Sequence, residues 1–120
     1  MWTGEFADEF DPEFDALDPA VQDELLAQLQ VVERQGPLAK RPRVDTLKGS
    51  KHSKMKELRF AAAGGEWRAA FAFDEERKAI VLVAGDKSGE GNEKRFYKSL
   101  IARADKRFDA HVKRLKARRI

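Results

Sequence analysis

Three consecutive segments, KELRFAA at residues 56–62, EWRAAFAF at 66–73 and AIVLVAG at 79–85, constrain this chain more than any other feature. Leu58 and Phe60 share one face of the first, and Trp67, Ala69, Phe71 and Phe73 share one face of the second, as the two-residue period of a strand requires. The third is apolar on both faces, which predicts a buried, central strand. Gly64-Gly65 and the DEER stretch at 74–77 leave room only for hairpin turns between them. The three segments therefore predict an antiparallel meander.

The flanks supply helices. WTGEF at the start, with Trp2 and Phe6 about Gly4, suits a brief edge strand. Phe10, Phe14 and Leu17 then fall at helical spacing, with Asp8 or Asp11 as a cap and Pro12 tolerable only near the helix start. A second helix starts at Asp18-Pro19, carries the stripe Val21, Leu25, Leu29 and Val32, and stops at Gly36-Pro37. Two helices so closely joined predict a helical hairpin. Residues 37–55 show no period and read as a long ordered loop. After the polar, glycine-rich GDKSGEGNEKR, residues 96–115 recover a helical period through Phe96, Leu100, Ile101, Ala104, Phe108, Val112 and Leu115. The closing KARRI is too charged and uncapped to extend that helix. The expected class is α+β, a single domain over residues 1–120, which is enough chain for one core.

Cysteine is absent, which excludes disulfides and thiolate metal sites. The acidic opening has no basic region followed by an apolar run, and no stretch reaches membrane-spanning length, so no membrane partner is expected and the cytoplasm is the expected location. The net charge of +3 hides a segregation: residues 1–35 hold ten acids and one base, −9, whereas residues 36–120 hold 23 bases and 11 acids, +12. Such a field attracts polyanions, and nucleic acid is the commonest of them.

Strand alternation places one group of bases together. If Leu58 and Phe60 face the core, Glu57 and Arg59 face away, as do Arg68, Ala70 and Ala72 on the next strand. With Gly64-Gly65 as the two-residue loop, Arg59 pairs with Ala70 and Ala61 with Arg68, so the guanidiniums lie diagonally beside a hollow left by Ala70 and Ala72. Arg59 paired to Glu57 or Glu66 as an ordinary surface contact is the plain alternative. Lys48, Lys51 and Lys54 lead into the first strand and Lys87 leaves the third, so bases converge from separate elements.

VDTLKGSKHSKMKELRF, then GGEWRAAFAFD, then IVLVAGDKSGEGNEKRFYKSLIARADKRFDAH, resembles in order and spacing the RelE/HigB superfamily of bacterial type II toxins, especially its phage-associated HigB-like branch. The resemblance implies a small RNase-like fold that works without cofactor or metal. It also implies a cognate helix-turn-helix antitoxin and an mRNA interferase activity in which ribosome-bound messenger RNA is cut by its own 2′-hydroxyl. By position, Arg68 of the WR pair matches the family's phosphate-holding arginine, and Arg59 of ELR shares that role. Lys87 of GDKSG falls where relatives place a basic residue, suited to stabilising charge or protonating the leaving oxygen. Tyr97 matches a tyrosine that orients the opened RNA, or else simply packs at the helix start. Lys48, Lys51, His52, Lys54 and Arg95 form the expected RNA-binding periphery, with His52 either a base or a surface residue.

The departures are as informative. Relatives often carry a His or Glu at the catalytic centre, and neither aligns firmly here. Two alternatives therefore stay open at this level: a non-enzymatic toxin of the ParE type that poisons DNA gyrase, and an RNA-binding relative that does not cleave.

Overall fold

The computed structural model describes residues 1–89 and 91–119. Its elements run β1 (Thr3–Phe6), α1 (Asp11–Asp15), α2 (Pro19–Gln35), β2 (Val44–Thr46), β3 (Lys56–Ala62), β4 (Gly65–Phe73), β5 (Lys78–Asp86) and α3 (Glu93–Arg118), with short 3₁₀ turns at Gly36–Leu38 and Lys87–Gly89. The five strands form one sheet in the order β1-β5-β4-β3-β2. The pairs β2-β3, β3-β4 and β4-β5 are antiparallel, and β1 runs parallel to β5. The α+β class, the edge strand and the meander are as the sequence implies.

Each face of the sheet carries a core. Val21, Leu25, Leu29 and Val32 of α2 pack with Leu58, Phe60, Ala69, Phe71 and Val81 on one face. On the other, Phe96, Leu100 and Ala104 of α3 pack over Ala70, Ala72, Ile80, Leu82, Val83 and Met55. Full burial of a side chain such as Leu25 or Ile80, both at 0% exposure, contributes about 1.5–3 kcal/mol. The expected hollow beside Ala70 and Ala72 is therefore filled: both alanines are buried beneath α3, and their small size lets the helix approach closely.

Four further expectations need correction. The β3-β4 turn is Ala63-Gly64, with φ of 50° and 75°, and Gly65 opens β4. A two-residue hairpin turn of this kind wants positive φ at both central positions, and Ala63 accepts it. The register moves accordingly, so that Arg59 lies directly opposite Arg68. The helical hairpin shrinks to one turn of α1 before α2, because Pro19 forces Asp18 out of helical geometry, at φ −53° and ψ 136°, and frees its side chain to cap Ala20. Within the expected loop, Val44–Thr46 forms β2 against β3, a strand too short to show a period. At the other end, α3 starts at Glu93, capped by Asn92, and continues to Arg118. Its tail holds no helix breaker, and the basic residues in the last turn suit the negative end of the helix dipole. Ile120 lies outside the described residues, as does Glu90 of the glycine-rich segment.

Gly36 is required twice over. Its φ is +58°, and a Cβ there would meet the Trp2 ring at 2.5 Å, so the end of α2 and the start of the chain interlock.

The charge segregation seen along the chain partly cancels in the fold. Arg107 on α3 donates to both oxygens of Glu13, at 2.8 and 2.6 Å, and to the Leu82 carbonyl at 2.7 Å; Arg114 pairs with Asp8 and Glu9. The hydrogen bond from Arg107 holds Glu13 below the ordinary glutamate value of 4.5. A carboxyl depressed in the folded state lends stability above its unfolded value, and that stability is lost as pH falls through the folded value. Thermal melts at stepped pH are expected to find Glu13→Gln modestly less stable than the parent at neutral pH, with the gap closing under acid conditions. A gap that persists unchanged at low pH would refute this role. Because Glu13 is 40% exposed, the effect stays small.

Candidate functional site

The face of β3 and β4 beneath the start of α3 holds a carboxylate buried between two arginines. Glu57, only 4% exposed, lies opposite Ala70, next along the same face to the Arg59-Arg68 pair. Arg59 Nη2 donates to Glu57 Oε2 at 3.3 Å and to Asp45 Oδ2 at 3.3 Å. Arg68 Nε lies 3.5 Å from Glu57 Oε1. Tyr97, in the second turn of α3, donates its hydroxyl to the same Oε1 at 2.8 Å and accepts from Arg68 Nε at 3.3 Å. Like charges set directly across two strands repel, and here Glu57 resolves the repulsion from beside them. Burial, then the bond to Glu57, pushes the Tyr97 hydroxyl above its ordinary value, so it remains a donor at neutral pH.

The cluster leaves some donors uncommitted. Arg68 Nη1 donates to the Trp67 carbonyl at 2.9 Å, whereas among the described residues its Nη2 makes no hydrogen bond and is not a buried orphan. Arg59 Nη1 is in the same condition, while Arg59 Nε is buried without a partner. A guanidinium whose edge is half used is suited to an incoming oxyanion.

Arg59, Arg68 and Tyr97 are thus brought together as the sequence implies, and two acids, Glu57 and Asp45, complete the group. Sequence offered Glu57 as an ordinary surface partner of Arg59, and the pair forms, but nothing in its spacing reveals that α3 buries it. Asp45 sits on β2, the strand that shows no period.

Lys87 stands apart from this group. Gly85 lies opposite Arg68 and Lys87 follows two residues later, but its amine pairs with Glu93 at 3.3 Å rather than joining other cations. The basic loop is tied down. Lys51 and His52 both bond to Asp109 of α3, His52 at 2.9 Å, and His52 meets the Phe108 ring edge-on at 5.0 Å. Ser50 and the Lys51 amide bond to Asp105. The bond from Lys51 holds the Asp109 carboxyl below the usual carboxylate range. Lys51 and His52 therefore staple the loop to α3, and no described contact links them to Glu57. Lys48, Lys54 and Arg95 are exposed, Arg95 in the first turn of α3, where its amide donates to the Asn92 cap. His111 is buried and bonds to Asp74 at 2.9 Å, fixing α3 to the β4-β5 turn.

A mixed five-stranded sheet covered by α2 on one face and α3 on the other defines a RelE-type α+β fold. It superimposes on a free-state arginine-to-alanine double mutant of the Escherichia coli toxin RelE with a TM-score of 0.54, covering 84% of this chain and 94% of that one at 15% identity. Residues 12–109 match the phage-derived Gp49-like family (DUF891), and the chain belongs to that family. Two toxin candidates of Mycobacterium tuberculosis are similar in sequence: HigB2, 41% identical over 97 residues, which are 80% of this chain and 47% of that protein, and HigB3, 46% identical over 79 residues, 66% of each. The chain spans about half the length of HigB2 and two thirds of HigB3. The HigB-like resemblance drawn from the motifs is borne out.

Proposed function

We propose that this chain is the toxin of a type II toxin-antitoxin pair and an endoribonuclease that cuts messenger RNA on the ribosome without a metal. The observation that carries the reading is the Glu57 carboxylate held between Arg59 and Arg68 with Tyr97 bonded to it. Cleavage by an internal 2′-hydroxyl needs a proton acceptor at that hydroxyl and cations on the phosphate as it gains charge. Glu57 takes the 2′ proton; the 2′ oxygen attacks phosphorus; the bond from phosphorus to the 5′ oxygen breaks. Arg68 Nη2 and Arg59 Nη1 bind the non-bridging oxygens throughout. The departing 5′ oxygen takes a proton from an acid, a role given in this reading to Lys87, two residues beyond the strand position opposite Arg68. Products are a 2′,3′-cyclic phosphate and a 5′-hydroxyl.

Exposed Lys48, Lys54 and Arg95 supply backbone contacts to RNA in this reading, and the work is done in the cytoplasm where ribosomes translate. Among the described residues no helix is long and apolar enough to cross a membrane. The cognate antitoxin is a helix-turn-helix protein that blocks ribosome entry or covers the Glu57 site.

Sequencing RNA 5′ ends after brief induction tests the reading. New ends within translated messages, lost when translation is blocked, are expected. Growth arrest with intact transcripts would overturn it, and inhibition of supercoiling by the purified chain would transfer the target to gyrase.

A further inference from the structure

We infer that the turn after α2 is a docking site for a protein segment that carries carboxylates around an aliphatic side chain. Arg34, Lys40, Arg41 and Arg43 line a hollow of about 370 Å³ at the C-terminal end of α2, and among the described residues no acid lines it. Leu38, also in its wall, is 84% exposed. A lone exposed leucine is unremarkable on a protein surface, and so is a lone solvated lysine. Their combination in one concavity, four cations about one aliphatic side chain, is the arrangement of an interface anchor ringed by charge.

The hollow is also held in shape. The Ala39 amide donates to the Gly36 carbonyl at 3.0 Å, and the Val44 amide donates to the Lys40 carbonyl at 3.1 Å. Arg43 Nε donates to Gln28 Oε1 on α2, which leaves its other nitrogens for an incoming group. Arg41 has an acid in reach, Asp45 at 3.7 Å, but its side chain is 75% exposed, so the pair is weak and easily exchanged for a stronger partner. A partner's loss of chain freedom is smaller when it meets a surface already fixed.

Charge chooses an anionic occupant, and Leu38 chooses between the two kinds. Phosphate backbone satisfies the four cations but offers nothing to an aliphatic side chain, whereas an amphipathic acidic segment satisfies both. The occupant is therefore protein. The site adjoins the Glu57 cluster without including it: the hollow lies on the turn that follows α2, Glu57, Arg59 and Arg68 lie on β3 and β4, and Asp45, within reach of both Arg41 and Arg59, stands between them.

Titration of the ¹⁵N-labelled full chain decides the matter, with three probes: a short synthetic helical peptide bearing leucine and glutamate on one face, a copy with serine in place of leucine, and an RNA duplex. The first peptide is expected to shift the amides of residues 34–43, the serine copy to bind about tenfold more weakly, and Leu38→Ser to lose about tenfold for the first peptide alone. Lys40→Glu with Arg41→Glu is expected to lose at least about tenfold. Both changes are at exposed positions, so the fold survives them. The inference fails if the RNA duplex shifts these amides at least as strongly as the peptide, if the peptide instead shifts the bases of α3, or if Leu38→Ser binds like the parent. RNA cleavage by Leu38→Ser is expected to be unchanged, so the result here and the result for cleavage are read independently.

Discussion

Glu57→Gln is expected to lower the rate of RNA cleavage by about two to four orders of magnitude, the usual yield of a positioned proton acceptor, while leaving a folded protein. Glutamine has the same shape and keeps an oxygen for the Tyr97 hydroxyl, now at 2.8 Å from Glu57 Oε1, but it cannot take a proton from a ribose hydroxyl. Two guanidiniums lose their shared counter-ion in this variant. Arg59 retains Asp45 and Arg68 retains the Trp67 carbonyl, so the stability cost is held to about 1–3 kcal/mol, visible as a lowered but still cooperative melt. Single-turnover cleavage of translated RNA, alongside the melt, separates the two effects. Cleavage at the parental rate in a destabilised Glu57→Gln would mean that the carboxylate only clamps the arginines.

Tyr97→Phe gives a graded counterpart. Its hydroxyl orients Glu57 and bonds to Arg68 without itself being asked to move a proton, so the loss should be smaller than for Glu57→Gln.

Much of this fold was legible because strand alternation and turn chemistry are strong local signals. The meander, the α2 stripe and the α3 stripe each follow from periods that the sequence displays over seven or more residues. What escaped was set by context. Three residues of β2 show no alternation, and whether Ala63-Gly64 or Gly64-Gly65 forms the turn is decided by which residue takes positive φ. That single-residue choice moved Arg59 from a diagonal neighbour of Arg68 to its direct partner.

The site was half legible for the same reason. Alternation puts Arg59 and Arg68 on one face, and the family resemblance picks out Tyr97. Burial of Glu57 depends on α3 lying across that face, which no local pattern states. The basic loop was legible only in part: Lys48 and Lys54 are exposed as a solvated basic stretch would be, whereas Asp105 and Asp109, more than fifty residues away, bind Ser50, Lys51 and His52. Charge counted along a chain records neither its counter-ions nor its distance from a site.

Arg68→Lys is the sharpest test of how the phosphate is held, and it is expected to lose about a hundredfold to a thousandfold in the rate of the chemical step. The arginine is only 12% exposed, anchored by Nη1 to the Trp67 carbonyl and by Nε to Tyr97, with Nη2 left over. Lysine keeps the charge but offers a single ammonium in place of a planar fork, so it cannot hold the strand, the tyrosine and a phosphate oxygen together. Because the positive charge is retained, RNA affinity measured on an uncleavable 2′-deoxy analogue should fall far less than the cleavage rate does. Arg59→Lys should cost less than Arg68→Lys, since Arg59 is 31% exposed and already divided between two carboxylates. If Arg68→Lys instead lost affinity while bound RNA was cut at the parental rate, Arg68 would be a docking residue, and stabilisation of the transferring phosphate would fall to Arg59 alone.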